Sequence, residues 1–122
     1  MSKFVIKTVA SGVKFDLKAT NGQVIASSEI YDTKAACIKG VASVKMNAPA
    51  AAIEDQTAEG YATQTHPKFE MYQDKAGQYR FRLKATNGQI IAVSEGYTSE
   101  AGCLNGVESV KKNAADAETV EA

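Results

Sequence analysis

The sequence has no tryptophan, one histidine, two cysteines and two prolines among its 122 residues. A single histidine, His66, leaves little material for a Ser-His-Asp or Cys-His nucleophile. It precedes Pro67 in a stretch of loop composition and reads as a solvated side chain. Two cysteines are too few for a disulfide scaffold, and Cys37 and Cys103 lack the C-x-x-C spacing of metal or redox motifs. A zinc site would have to gather both of them, His66 and a carboxylate from distant points of the chain. There is no H-E-x-x-H, Walker A or G-x-G-x-x-G motif. No catalytic residue, metal or cofactor is therefore expected.

Long apolar runs are also missing. None reaches the roughly 18 residues of a membrane span, and the opening MSKFVIKTVASG has no apolar core of the secretory type. The expectation is a cytoplasmic protein with reduced thiols and no membrane partner. Net charge is absent too, with 14 Lys+Arg against 14 Asp+Glu. The two halves do not hide an asymmetry, since residues 1–60 carry seven lysines and six acids and residues 61–122 seven basic and eight acidic side chains. A generic polyanion binder is excluded on that balance.

What the chain does have is an internal repeat. Residues 18–31, KATNGQVIASSEIY, return as residues 84–97, KATNGQIIAVSEGY, at an offset of 66. Held from Lys18–Ala48 to Lys84–Ala114, that offset matches about 20 of 31 positions, far above chance. Upstream, KFVIK matches KFEMY at an offset of 65, so the first copy is one residue shorter near Gly12–Phe15, where a turn is expected.

Each copy carries the same local signals. Phe4–Lys7 and Phe69–Gln73 are short β-type runs. Tyr79, Phe81, Leu83 and Ala85 alternate with Arg80, Arg82 and Lys84, and Phe15, Leu17 and Ala19 with Lys14, Asp16 and Lys18. Period two with one apolar face predicts half-buried antiparallel strands. Asn21-Gly22 and Asn87-Gly88 predict two-residue type I′ hairpins, with returning strands at Gln23–Ser28 and Gln89–Ser94.

A helix follows in each copy, capped by Asp32 or Thr33 in one and Thr98 or Ser99 in the other. Cys37, Val41, Val44 and Ala48, and their counterparts Cys103, Val107, Val110 and Ala114, form one apolar helical face. Gly40 and Gly106, costly inside a helix, predict the close approach of another element. Asn47 and Asn113 suit the helix ends. Short strands are expected at Ala52–Gln56 and Glu118–Glu121. The reading is β-β-β-α-β twice: repeat 1 over residues 1–56, a linker over 57–67, and repeat 2 over 68–122.

The second copy, KFEMYQDKAGQYRFRLKATNGQIIAVSEGY followed by SEAGCLNGVESVKKNA, resembles the YegP family, a small bacterial and archaeal domain of unknown function. The first copy is a more divergent example, and together they cover nearly the whole chain. The resemblance implies an α+β fold. Two units would assemble about a pseudo-twofold axis into one antiparallel sheet, exchange their C-terminal strands, and pack both helices on one face. Single-copy members would reach this arrangement as homodimers. A tandem chain reaches it internally and is expected to be a monomer. The resemblance implies no activity, cofactor or catalytic residue.

The polar residues left over point to binding rather than catalysis. Cys37 and Cys103 on apolar helical faces read as small buried hydrophobes. Ser28-Glu29 and Ser94-Glu95, with Tyr31 and Tyr97, read as hydrogen-bonded turns that launch the helices. Arg80, Arg82 and Lys84 form the best candidate binding face, a basic stripe broken in the first copy by Asp16. The expected function is non-catalytic, the binding of a protein or small ligand, with weak nucleic-acid binding through Arg80, Arg82 and Lys84 as the alternative.

Overall fold

The computed structural model describes residues 2–122. Eight strands and two helices follow in the order β1 (Lys3–Val9), β2 (Gly12–Lys18), β3 (Val24–Ser27), α1 (Lys34–Asn47), β4 (Ala52–Asp55), β5 (Lys68–Gln73), β6 (Tyr79–Lys84), β7 (Ile90–Val93), α2 (Glu100–Ala114) and β8 (Glu118–Glu121). The strands form one sheet, ordered β4-β5-β6-β7-β3-β2-β1-β8. No described helix is long and apolar enough to cross a membrane.

The expected wholly antiparallel sheet is corrected by its two edges, where β4 pairs with β5 and β8 with β1 in parallel. Parity explains this. Three antiparallel steps, β3–β7–β6–β5, leave β5 running opposite to β3. Helix α1 carries the chain from the centre of the sheet to its far edge and returns it at the end where β3 stops. β4 therefore runs opposite to β3 and alongside β5. The sheet is mixed.

Alternation places Phe4, Ile6, Phe15, Leu17, Phe69, Met71, Phe81 and Leu83 beneath the helices, in one apolar cluster with Cys37, Val44, Cys103 and Val110. Each helix touches strands from both halves, α1 packing on β2 and β7, and α2 on β6 and β3. Thr33 Oγ1 accepts from Ala36 N at 3.1 Å and Ser99 Oγ from Gly102 N at 3.0 Å, so these two residues are the caps. The helix-end asparagines do not terminate the helices in a left-handed conformation. Asn47 and Asn113 have no positive φ, and each donates its Nδ2 back to the carbonyl four residues earlier, at 2.8 Å.

The Asn-Gly hairpins differ from the type I′ expectation. Gly22 N donates to Ala19 O and Ala19 N to Gln23 O, both at 2.9 Å, with Gly22 at φ +84° and no positive φ at Asn21. This is a three-residue loop, a type I turn closed by a glycine bulge, and Gly88 (φ +83°) builds the same one. Only the glycine needs the left-handed region here, and Asn21 instead accepts from Gln23 N through Oδ1 at 3.0 Å.

The helix glycines are explained by tyrosines. A Cβ on Gly106 would clash with Tyr97 Oη and sit 3.0 Å from Phe81 Cε2, and one on Gly40 would meet the Tyr31 hydroxyl in the same way. Gly106→Ala is expected to lose about 1–3 kcal/mol through overpacking, outweighing the roughly 1 kcal/mol that alanine gains in helix propensity. Gly102→Ala in the same helix, whose nearest contact would be Ser99 Oγ at 3.2 Å, serves as the control in urea denaturation. Equal effects of the two substitutions would refute the tyrosine explanation.

Candidate functional site

The register carries one row of side chains across the helix-free face of the sheet: Val120, Val5, Asp16, Ser27, Val93, Arg82, Glu70 and Glu54, one from each strand. The candidate residues Arg80, Arg82 and Lys84 lie on this face because Phe81 and Leu83 between them are buried under the helices. Each has a carboxylate partner. Arg80 Nε donates to Asp74 Oδ2 at 2.7 Å and Arg82 Nε to Glu70 Oε1 at 2.6 Å, while Lys84 Nζ stands 3.2 Å from Glu70 Oε2. The Arg82 guanidinium also lies over the Tyr72 ring, 4.6 Å from its centroid. The stripe is thus stitched into strands β5 and β6 rather than standing as free positive charge.

Beside it, on the same face, lies a buried ionic cluster that the sequence pattern did not reveal. Glu54, Lys68 and Glu70 are 2%, 5% and 3% exposed. Lys68 Nζ binds Glu54 Oε1 at 2.8 Å and Glu70 Oε2 at 3.2 Å. Glu54 also accepts from Gln56 Nε2 and from the backbone of Gln64, each at 2.7 Å. The clue available in the sequence was a charged residue at every second position of an otherwise apolar strand, Lys68 and Glu70. Their partner Glu54 sits 14 residues before Lys68, joined to it only by the parallel edge pairing.

Burial acts to raise the Glu54 carboxyl. The Lys68, Gln56 and Gln64 hydrogen bonds and the Lys68 charge outweigh it and hold the group at about 2. A lowered folded-state pKa gives stability that is present above the ordinary value near 4.5 and is lost as pH falls toward about 2. Glu70 and Asp16 are lowered as well, so they lose stability in the same acid direction. Chemical denaturation should show stability falling between pH about 4.5 and about 2. In Glu54→Gln the part of that slope due to Glu54 should be absent, and an unchanged slope would refute the assignment.

The first half fills the equivalent places differently. Asp16, 4% exposed, is bound by Lys7 at 2.7 Å, Lys14 at 3.3 Å and the Ser27 hydroxyl at 2.7 Å. Lys3 and Lys18 have no carboxylate within 4.0 Å among the described residues. They border a cleft of about 460 Å³ floored by Val5 and Val120.

Other polar candidates are occupied structurally. Ser28 Oγ accepts from Phe15 N at 2.9 Å and donates to Glu29 O at 2.7 Å, and Ser94 repeats this with Phe81 and Glu95. Both cysteines are free thiols with no exposed surface. Burial pushes both upward, Cys103 to about 11, which suppresses the nucleophilic thiolate. Among the described residues no group of three or more His, Cys, Asp or Glu is placed to hold a metal ion.

Two helices on one face of an eight-stranded mixed sheet, with ion pairs across the other, define a small α+β protein. Comparison with known proteins makes this specific. The family described as Domain of unknown function (DUF1508) matches residues 10–55 and 74–121, and the chain belongs to that family. The UPF0339 protein YegP of Yersinia pestis is 36% identical over 114 residues, covering 93% of this chain and 88% of that protein. A UPF0339 protein of Treponema denticola is 65% identical over 54 residues, which are 44% of this chain and 93% of that protein. The solution NMR structure of the E. coli protein of unknown function yegP superposes with a TM-score of 0.81 at 30% identity, over 98% of this chain and 91% of that one.

Proposed function

We propose that the protein is a non-catalytic binding module that presents the helix-free face of its sheet to a small ligand or protein. One observation carries this reading: both helices pack on the same side of the sheet over one apolar cluster, and no described helix or strand lies over the opposite side, which the linker reaches only at the β4–β5 end, where Gln64 N donates to Glu54. The candidate hydroxyls and thiols of the chain are committed elsewhere, which supports it. The Ser28 and Ser94 hydroxyls serve their turns, and the two thiols are buried with raised pKa values.

The architecture is that of an intramolecular pseudo-dimer. Two related halves share one core, trade their outer strands and act as a monomer. The pairing of β4 with β5 and of β8 with β1 supports this, as does a relative that is little longer than one half.

The test is amide chemical-shift mapping with a panel of small anionic, cationic and neutral organic fragments, and with a single-stranded oligonucleotide as the competing probe. Saturable shifts centred on Lys3, Lys18, Ser27 and Arg82 are expected from at least one fragment class. Shifts confined to α1 and α2 would overturn the reading, as would an absence of saturable shifts. Oligonucleotide binding that weakens steeply with salt would replace it with the nucleic-acid alternative.

A further inference from the structure

The two ends of the open face answer the same structural question differently. Lys68 and Lys84 stand opposite each other in β5 and β6, and Lys3 and Lys18 stand opposite each other in β1 and β2. In the second half the lysine pair encloses an anion, with both Nζ atoms 3.2 Å from Glu70 Oε2 and Lys68 also binding Glu54. In the first half the position of Glu70 is taken by Val5 and that of Glu54 by Val120, in the same edge register. The cations are kept, the internal carboxylates are gone, and a cleft of about 460 Å³ takes their place, within the range of small-ligand pockets.

Asp16 cannot supply the missing charge, because it is committed to Lys7, Lys14 and Ser27. It also accounts for the loss of a glutamate at Val5. Val5 lies directly opposite Asp16, whereas Glu70 lies opposite Arg82, so a carboxylate at Val5 would face a buried like charge.

Resting on the reading of this face as a binding surface, we infer that Lys3 and Lys18 form a site for the carboxylate of a small aliphatic acid, whose hydrocarbon part lies on Val5 and Val120. The ligand carboxylate takes the place that the Glu70 carboxylate holds in the other half. The valines supply an apolar floor that favours an alkyl chain over a bare anion.

The experiment is titration of the full chain with hexanoate, followed by amide shifts, with hexylamine, hexan-1-ol and inorganic phosphate as comparison probes. Hexanoate should give saturable shifts at Val5, Lys18 and Val120, the amine and the alcohol should not, and phosphate should bind more weakly. Lys3→Gln/Lys18→Gln should weaken hexanoate by about tenfold or more, as expected for losing charge-assisted hydrogen bonds. Val120→Glu should abolish binding by offering Lys3 an internal carboxylate, as Glu54 does for Lys68. No saturable shift with hexanoate, equal binding of phosphate, or unchanged affinity in the double variant would each overturn the site. If hexanoate fails while another fragment shifts the same face elsewhere, this site falls and the binding-module reading stands.

Discussion

Lys68→Met should cost about 3–5 kcal/mol of folding stability, because it leaves buried carboxylates without their shared cation. Glu70 keeps Arg82 and Lys84, but Glu54 is left with only the amide donors Gln56 and Gln64. The loss should be largest at neutral pH and shrink in acid, where Glu54 takes up a proton and stops being a buried charge. Adding Glu54→Gln to Lys68→Met should recover part of it. Lys3→Met, at the matching place in the first half, removes a cation with no described carboxylate partner and should leave stability nearly unchanged. Urea denaturation of the four proteins checks this, and a Lys68→Met loss below about 1 kcal/mol would mean that the cluster behaves as an ordinary solvated ion pair.

Phe81→Ala should cost a similar amount, about 3–5 kcal/mol for a fully buried phenylalanine. Phe81 meets Phe69 edge-on at a centroid distance of 5.8 Å and stacks against Tyr97 at 6.3 Å. Phe15 has the same neighbours in the first half, Phe4 at 5.6 Å and Tyr31 at 6.4 Å, so Phe15→Ala should match it. Against a typical domain stability of about 5–15 kcal/mol, either change consumes much of the total. The shape of the transition is equally informative. If the two halves share a core, each variant should unfold in one step at lower urea. A two-step curve, with one half surviving, would show separate cores.

Much of the fold was legible because its signals are local. Alternation over Tyr79–Lys84, the capping residues Thr33 and Ser99, and the helix face containing Cys103 and Val107 are each set within one stretch of chain. Gly40 and Gly106 even announced a contact without naming the tyrosines that make it. Most differences arise where distant segments decide. The parallel edges follow from where the helices deliver the chain, and no strand records that in its own residues. The Asn-Gly hairpin is a local signal with two solutions: Asn tolerates the positive φ of a type I′ turn, yet its side chain is better placed accepting from Gln23 N. Arg80, Arg82 and Lys84 read as a basic stripe because they are successive outward positions of one strand. Their counter-charges come from β5 and from the turn at Asp74. The cleft beside Lys3 is legible only by comparing the copies across the sheet, valine against glutamate.

The edge strands β4 and β8 have a further consequence for how this molecule meets others of its kind. Each is only four residues long, and both carry two acids, Glu54 and Asp55 in one and Glu118 and Glu121 in the other. A sheet normally invites growth at its margins, where unpaired backbone groups can recruit a new strand. Here Glu54 is buried against Lys68 and Glu121 is paired with Lys34, which leaves Asp55 and Glu118 as the acids that an edge-to-edge approach brings together over a short margin. By placing a short, acid-bearing strand at each margin, the protein ends its sheet at eight strands and discourages the stacking into longer ribbons that a bare β1 or β5 would permit.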